Sequence, residues 1–268
     1  MTQEELLAGT ILAIDKPYQW TSFQAVNKIK SAIRHTYGLK KFKIGHAGTL
    51  DPLATGVLLV CVGKATKQID ELQSGEKIYS GTIVLGATTP CYDLERAIDQ
   101  YYAYSHITPE LIQQIIPQFL GEIEQVPPIF SAVKINGQRA YNYARDAKNG
   151  EEIPLPTPKK INIYQFDVID FRPGKPVDEL PEIQTQEQAN VAQHHLYDNP
   201  LGSVPEFLPQ LDFRIRCGKG TYIRSIARDF GLALDSGAFL SALRREQVGH
   251  HAIDQTLTLD QVEDFLKQ

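Results

Sequence analysis

No stretch of this 268-residue chain approaches the roughly 20 consecutive apolar residues needed to cross a bilayer. The opening Met1-Thr2-Gln3-Glu4-Glu5 also lacks the basic-then-apolar order of a secretory leader. These two absences point to a cytoplasmic protein. Cysteine is scarce as well. Cys61, Cys91 and Cys217 are odd in number and far apart, and no Cys-x-x-Cys pair occurs, so neither a disulfide framework nor a cysteine zinc site is suggested. They read as packed thiols. With 42% hydrophobic and 22% charged residues, the chain can bury a core without staples, and its length fits either one unit or two.

A net charge of −5 argues at first against a nucleic-acid partner, because phosphate contacts need a basic footprint. The distribution reverses that argument. Residues 170–212 carry eight acidic side chains against Arg172 and Lys175, a net of −6, so the remainder sums to +1. Residues 16–67 hold nine Lys or Arg and one acid, Asp51; residues 213–245 hold seven basic residues against Asp229 and Asp235. Two basic segments therefore frame an isolated carboxylate. On their own, Lys28, Lys30, Arg34, Lys40 and Lys41 also suit a solvated helix face.

Ile11 to Ile14 predicts a short strand stopping at Asp15-Lys16-Pro17, because proline removes a ladder donor. Thr21 or Ser22 can cap the helix that follows, with apolar positions Val26, Ile29 and Ile33, and the pattern ends near Tyr37-Gly38. Gly45, Gly48 and Gly56 then punctuate a loop carrying His46 and Asp51-Pro52, before a buried strand over Val57 to Val62. A short helix over Ala65 to Leu72 and a strand over Ile78 to Leu85 follow. Thr108-Pro109-Glu110 starts another helix, continued to Phe119. Past Pro127-Pro128, a strand over Phe130 to Ile135, a turn at Asn136-Gly137 and a polar, aromatic helix over Gln138 to Ala147 have the look of a protruding arm. Strands over Ile161 to Phe171 and Leu211 to Cys217 flank a proline-rich insertion with little periodicity, expected to be disordered. A helix over Thr221 to Leu234, a strand over Phe239 to Val248 and a last helix over Leu259 to Leu266 complete the order. It is neither a strict βαβ series nor a hairpin series, and a mixed α+β sheet fits it best.

The chemistry-bearing residues are His46 and Asp51 on the glycine-rich loop, Tyr79 in Lys77-Ile78-Tyr79, and Tyr222 and Arg224 in Gly218-Lys219-Gly220-Thr221-Tyr222-Ile223-Arg224. His46 has no histidine partner at a ligand spacing, so no metal is expected. Gly63-Lys64-Ala65-Thr66 lacks the spacing of a phosphate loop. An aspartate before proline is an ordinary turn residue, since its side chain can bond the following amides. As the lone acid in a basic stretch it is equally available as a nucleophile or general base. Tyr222 and Arg224 suit the first turn of a helix without further role.

The run Gly45-His46-Ala47-Gly48-Thr49-Leu50-Asp51-Pro52-Leu53-Ala54-Thr55-Gly56-Val57-Leu58 closely resembles the catalytic motif of the bacterial tRNA pseudouridine-55 synthases, the TruB family. So do Asp15-Lys16-Pro17, Lys77-Ile78-Tyr79, Val126-Pro127-Pro128-Ile129-Phe130-Ser131-Ala132-Val133-Lys134, Lys219-Gly220-Thr221-Tyr222-Ile223-Arg224 and Leu243-Arg244-Arg245, in family order across roughly residues 10 to 250. The resemblance implies an α+β pseudouridine synthase fold, a mixed and mostly antiparallel sheet with flanking helices and a thumb-like arm. It implies isomerisation of a uridine in the tRNA T-arm without metal or organic cofactor; the sequence is silent on oligomeric state, and a monomer with no obligate protein partner is the default expectation. Asp51 would be the catalytic aspartate, and Arg224 would hold it ionised. Tyr79 would stack on the uracil and help remove the C5 proton, while Tyr222 and Leu243 would line the base pocket. His46 would fill the gap left by the flipped nucleotide, and Asp93 would contact the flipped region.

In domain terms the resemblance makes residues 1–268 a single catalytic domain, with the thumb at about 128–152, an insertion at about 172–210 and no C-terminal RNA-binding domain. Three features depart from the family pattern. Gln19-Trp20 stands where a glycine usually follows Lys-Pro, so the backbone of that turn is expected to differ. The acidic insertion replaces a short connection and is expected to point away from RNA. The chain also ends soon after the catalytic core, leaving affinity to the core and thumb. Two competing readings are an idle RNA-binding protein on this scaffold, disfavoured by Asp51, Tyr79 and Arg224 together, and a hydrolase with an Asp51 nucleophile. The hydrolase would want a second acid or a histidine base, and His46 is the local candidate.

Overall fold

The computed structural model describes residues 1–140, 142–143, 154–175 and 204–268. The insertion expected at about 172–210 and the distal half of the arm therefore lie largely outside the described residues. One sheet has the strand order β1(Thr10–Lys16), β3(Thr55–Val62), β12(Ala238–Val248), β4(Lys77–Leu85), β11(Gln210–Cys217), β10(Lys159–Arg172), β7(Gly121–Gln125), with β2(Ile44–Ala47) beside β3 and β13(His251–Ala252) beside β12. The described registers are antiparallel apart from β12 on β3, where Arg244 faces Thr55 and Arg245 faces Gly56 in parallel. The mixed, mostly antiparallel expectation holds. The chain divides into two compact units, one of Met1–Ser80, Arg216–Lys219 and Ala242–Gln268, the other of Gly81–Ile215 and Gly220–Ser241.

In the first unit, β3 is buried from Gly56 to Val62, as its unbroken apolar run requires of an interior strand. β1 pairs along its length, and α2(Ser22–Tyr37) buries Ala25, Val26, Ile29 and Ile33. Thr21 and Gln24 close a capping box at the start of α2, and Gly38 ends it in the left-handed conformation, φ 66°. A helix absent from the sequence reading, α1(Gln3–Gly9), precedes β1 and is started by a second capping box, Thr2 with Glu5. Further helices are α3(Ile69–Ser74), entered through a 3₁₀ turn at Gly63–Gln68, and α6(Gln261–Lys267).

The turn after Lys16 resolves the first departure from the family pattern. Gln19 takes φ 64°, the backbone a glycine would adopt, and the turn winds round the Lys16 ammonium, which donates to the carbonyls of Pro17 and Trp20. A non-glycine residue there carries roughly 1–2 kcal/mol of strain. A new glycine loses about 0.5–1 kcal/mol through the freedom of the unfolded chain. Gln19→Gly is therefore expected to leave stability unchanged or raise it by up to about 1 kcal/mol in urea unfolding; a clear loss would contradict the left-handed turn.

The second unit contains α4(Pro109–Ile115), with Thr108 as its cap and a 3₁₀ turn to Phe119, and α5(Ile223–Ala233). Its core includes a cluster of Phe119, Phe166, Phe213 and Phe230, with ring centroids 5.4–6.2 Å apart. Short ribbons β5(Ala87–Thr88) with β6(Gln100–Tyr101), and β8(Lys134–Ile135) with β9(Gln138–Arg139), complete it.

The expected strand over Phe130 to Ile135 shrinks to β8. Pro127-Pro128 interrupts the ladder, and the Phe130 carbonyl is taken by the Arg224 guanidinium at 3.0 Å. Asn136 and Gly137 both take positive φ, 50° and 83°, which suits a two-residue hairpin. Residues 138–139 are strand rather than helix. Helical residues are described at Ala140, Asn142 and Tyr143, and the remainder of the expected helix lies outside the described residues.

Candidate active site

His46, Asp51, Tyr79 and Leu243 fall in the first unit, and Asp93, Tyr222 and Arg224 in the second. His46 lies on β2 rather than in a loop, paired with Val60. The glycine before it permits close packing, since a Cβ on Gly45 would sit 3.0 Å from Ile69 Cδ1. Asp51 is half-buried in the turn between β2 and β3, closed by the Ala54 amide donating to the Asp51 carbonyl at 3.1 Å.

Three side chains hold that turn. The Ser22 hydroxyl accepts from the Leu50 amide at 2.9 Å and donates to the Leu50 carbonyl at 3.0 Å. The Lys16 ammonium, fully buried, donates to the Pro52 carbonyl at 3.2 Å. Arg245, 1% exposed, donates to the carbonyls of Val57 at 2.7 Å, Gly48 at 3.1 Å and Thr49 at 3.4 Å. The backbone on both sides of Asp51 is thus tied to buried cations from β1 and β12. None of these three holding roles emerged from the sequence. Arg244 and Arg245 look alike there, yet strand alternation sends Arg244 out to an ion pair with Asp15 at 2.8 Å and Arg245 inward.

The electrostatics follow from burial. Burial pulls the Lys16 ammonium down to about 8, an effect the Asp51 charge partly offsets and Arg245 reinforces. Lys77 is pulled to about 8 by burial and then by Arg245. Tyr79 is buried and its phenol is pushed up by desolvation; the Arg245 charge opposes that shift, while Asp51 adds to it. The first unit therefore joins Asp51, Tyr79, Lys16 and Arg245 in one electrostatic neighbourhood. Such a group can present an anionic oxygen and a phenol to a substrate without exposing its supporting cations. Leu243 is half-buried on β12.

The His46 imidazole is pulled below 6.5 by burial and then by Arg245. It stays neutral in the folded protein, while the unfolded chain takes up a proton near the ordinary value. Unfolding thus gains a proton below that pH, so the contribution of His46 to stability is complete above about 6.5 and falls as pH drops toward the depressed folded value. His251, depressed by burial and by His250, acts in the same window. Going from about pH 7.5 to about pH 5.5 should cost His46→Gln less stability than the wild type in urea titrations; equal losses would contradict this.

In the second unit, Tyr222 precedes α5 and its backbone is gripped by Gln125, which accepts from the Tyr222 amide at 2.8 Å and donates to its carbonyl at 3.1 Å. Arg224, 5% exposed, donates to the carbonyls of Cys91 at 3.1 Å and Phe130 at 3.0 Å and pairs with buried Asp93 at 3.5 Å. That pairing with Asp93 was not foreseen. The Asp93 carboxylate also caps the Glu95 amide at 3.0 Å.

Residues 34–223 match the family model described as TruB family pseudouridylate synthase, N-terminal domain. The chain is 46% identical to a tRNA pseudouridine synthase B of Flavobacterium johnsoniae over the whole of both proteins. It belongs to the TruB family. A second relative, a tRNA pseudouridine synthase B of Parabacteroides distasonis, is 41% identical over 98% of this chain and 96% of its own. In fold, this TruB-family chain aligns with a chain of a crystallised Cbf5–Nop10–Gar1 complex at a TM-score of 0.61 and 24% identity, covering 98% of this chain and 56% of that one. Among the described residues, no helix is long and apolar enough to cross a membrane.

Proposed function

We propose that this TruB-family chain isomerises uridine to pseudouridine at position 55 in the T-loop of tRNA, acting as a cytoplasmic monomer without a metal or organic cofactor. The C1′–N1 bond breaks, a C1′–C5 bond forms, the C5 proton leaves and N1 gains one, so no atom is added or lost overall. Asp51 supplies the anionic oxygen on which glycosidic cleavage depends. The single observation that carries the reading is the Asp51 turn itself, braced by Ser22, Lys16 and Arg245 in the same electrostatic neighbourhood as Tyr79.

A uridine inside a folded loop must be extruded at a cost of a few kcal/mol, which stacking on aromatic side chains offsets. Tyr79 is the stacking partner and assists removal of the C5 proton. Within the first unit, Leu243 is a further substrate contact and His46 fills the gap left in the loop; within the second, Tyr222, Arg224 and Asp93 are the residues assigned to substrate binding. The test is incubation of the purified protein with an unmodified tRNA transcript and chemical mapping of pseudouridine. Modification confined to position 55 is expected; an unmodified transcript would overturn the proposal.

A further inference from the structure

The first unit holds a cleft of about 430 Å³, large enough for a small ligand, whose lining residues are not those assigned to the uridine. Its walls come from distant parts of the chain. β1 and the turn after it supply Asp15, Lys16 and Trp20, α2 supplies Lys28, β12 supplies Arg244, and Asp260 stands at the start of α6. The last arrives because the chain end pairs with β1: the Asp15 amide donates to the Leu257 carbonyl and the Leu257 amide to the Ala13 carbonyl, both at 2.9 Å. Lys16 links the cleft to the Asp51 turn, since its ammonium holds the Pro52 carbonyl.

Arg244 and Asp15 pair at 2.8 Å and largely neutralise each other. Three groups are left over. Among the described residues, the half-buried Trp20 indole has no partner for its N–H, and the exposed Lys28 ammonium on α2 has no carboxylate partner. The Asp260 carboxylate bonds none of the amides at the start of its own helix. A π-face, a cation and a carboxylate acceptor together suit a nucleotide, whose base stacks, whose phosphate meets the cation and whose hydroxyl or amino groups donate. A simple anion would leave Trp20 and Asp260 without a role, and an apolar ligand would cover Lys28 unpaired.

We infer that this cleft is a second nucleotide subsite, in which an unpaired nucleotide of the RNA stacks on Trp20 with its phosphate on Lys28. This rests on the functional reading above. The occupant belongs to the same RNA, because Lys16 sets the cleft beside the turn that receives the flipped uridine. Filling it fixes the position of the RNA strand against Asp51. Gln19-Trp20 is also where the chain departs from its family pattern, so the stacking wall comes from this chain's own sequence.

Trp20 is the chain's only tryptophan, so its fluorescence reports on the cleft. Adenosine monophosphate added to the full chain is expected to quench that signal saturably, and ribose 5-phosphate, which has no base to stack, to leave it unchanged. Lys28→Ala should raise the half-saturating concentration about 3- to 5-fold, the scale of one exposed ion pair. The dissociation constant for an unmodified tRNA transcript should rise on the order of 10-fold with Trp20→Ala, but less than about 3-fold with Trp20→Phe, which keeps a π-face. No quenching by the nucleotide, equal quenching by ribose 5-phosphate, or a tRNA affinity indifferent to Trp20→Ala would each overturn the subsite. Should Trp20→Ala fail to fold, the Lys28→Ala titration decides, and an unchanged half-saturation would overturn it. None of these readings needs turnover. A chain that binds nucleotide here and makes no pseudouridine would sink the functional assignment alone, whereas modification without quenching would sink the subsite alone.

Discussion

Asp51→Asn is expected to lower pseudouridine formation by on the order of 10³-fold or more while leaving the affinity for tRNA within about 3-fold of the wild type. The asymmetry follows from what surrounds the side chain. The turn is held through its backbone, by the Ala54 amide on the Asp51 carbonyl and by Ser22, Lys16 and Arg245 on neighbouring peptide groups, and an asparagine of the same size leaves every one of those bonds in place. What disappears is the anionic oxygen. An amide cannot serve as nucleophile or base, so the chemical step fails with the scaffold intact. Binding could even tighten slightly, because one negative charge is removed from a segment that meets an anionic polymer. Single-turnover rates with binding measured in parallel provide the check; turnover near the wild-type rate would remove Asp51 from the chemistry.

The second large effect concerns a residue with no side chain. Gly56 adopts φ 100° and lies against β12 so tightly that a Cβ would come within 2.2 Å of the Arg245 carbonyl oxygen and 2.9 Å of its amide nitrogen. Both contacts are backbone, so no flexible side chain can swing away, and β3 or β12 must shift. Left-handed strain and overpacking together put the cost of Gly56→Ala at roughly 3–5 kcal/mol. The displacement would also carry Arg245 away from the Asp51 turn, so activity should fall even where the variant stays folded. Gly137 is the natural control. Its φ is 83°, yet nothing lies within 4 Å of a Cβ placed there. Gly137→Ala should thus show the conformational penalty alone, about 1 kcal/mol. Comparable losses in the two variants, measured by urea unfolding, would mean that β12 does not approach Gly56 as described.

Local signals were the legible ones. The α2 caps at Thr21 and Gly38, the proline start of α4, the Asn136-Gly137 turn and the buried run of β3 were all readable, because each depends on neighbours within a few residues. β2 was misread as loop because its glycine serves packing under Ile69 rather than a turn. α1 was passed over although the Thr2-x-x-Glu5 box was present, since seven residues are too few to show periodicity. The identities of Asp51, Tyr79, Tyr222 and Arg224 as notable residues came from isolation and motif. The structure adds partners far away in the chain: Arg245 for the Asp51 turn, Asp93 for Arg224, Gln125 for the Tyr222 backbone. Nothing local distinguishes Arg245 from Arg244. Only the strand's alternation does, and that becomes informative once the buried face of β12 is known.

The central claim is that this chain moves a uracil from nitrogen to carbon without losing it. The most direct measurement uses a tRNA transcript carrying tritium at C5 of its uridines, followed with the wild-type protein for tritium release, free uracil and the site of modification. The account predicts one tritium released per tRNA, pseudouridine at position 55 and no free uracil. Uracil release with an abasic site left behind would instead identify a hydrolase and contradict the account, as would binding of tRNA with no release of tritium.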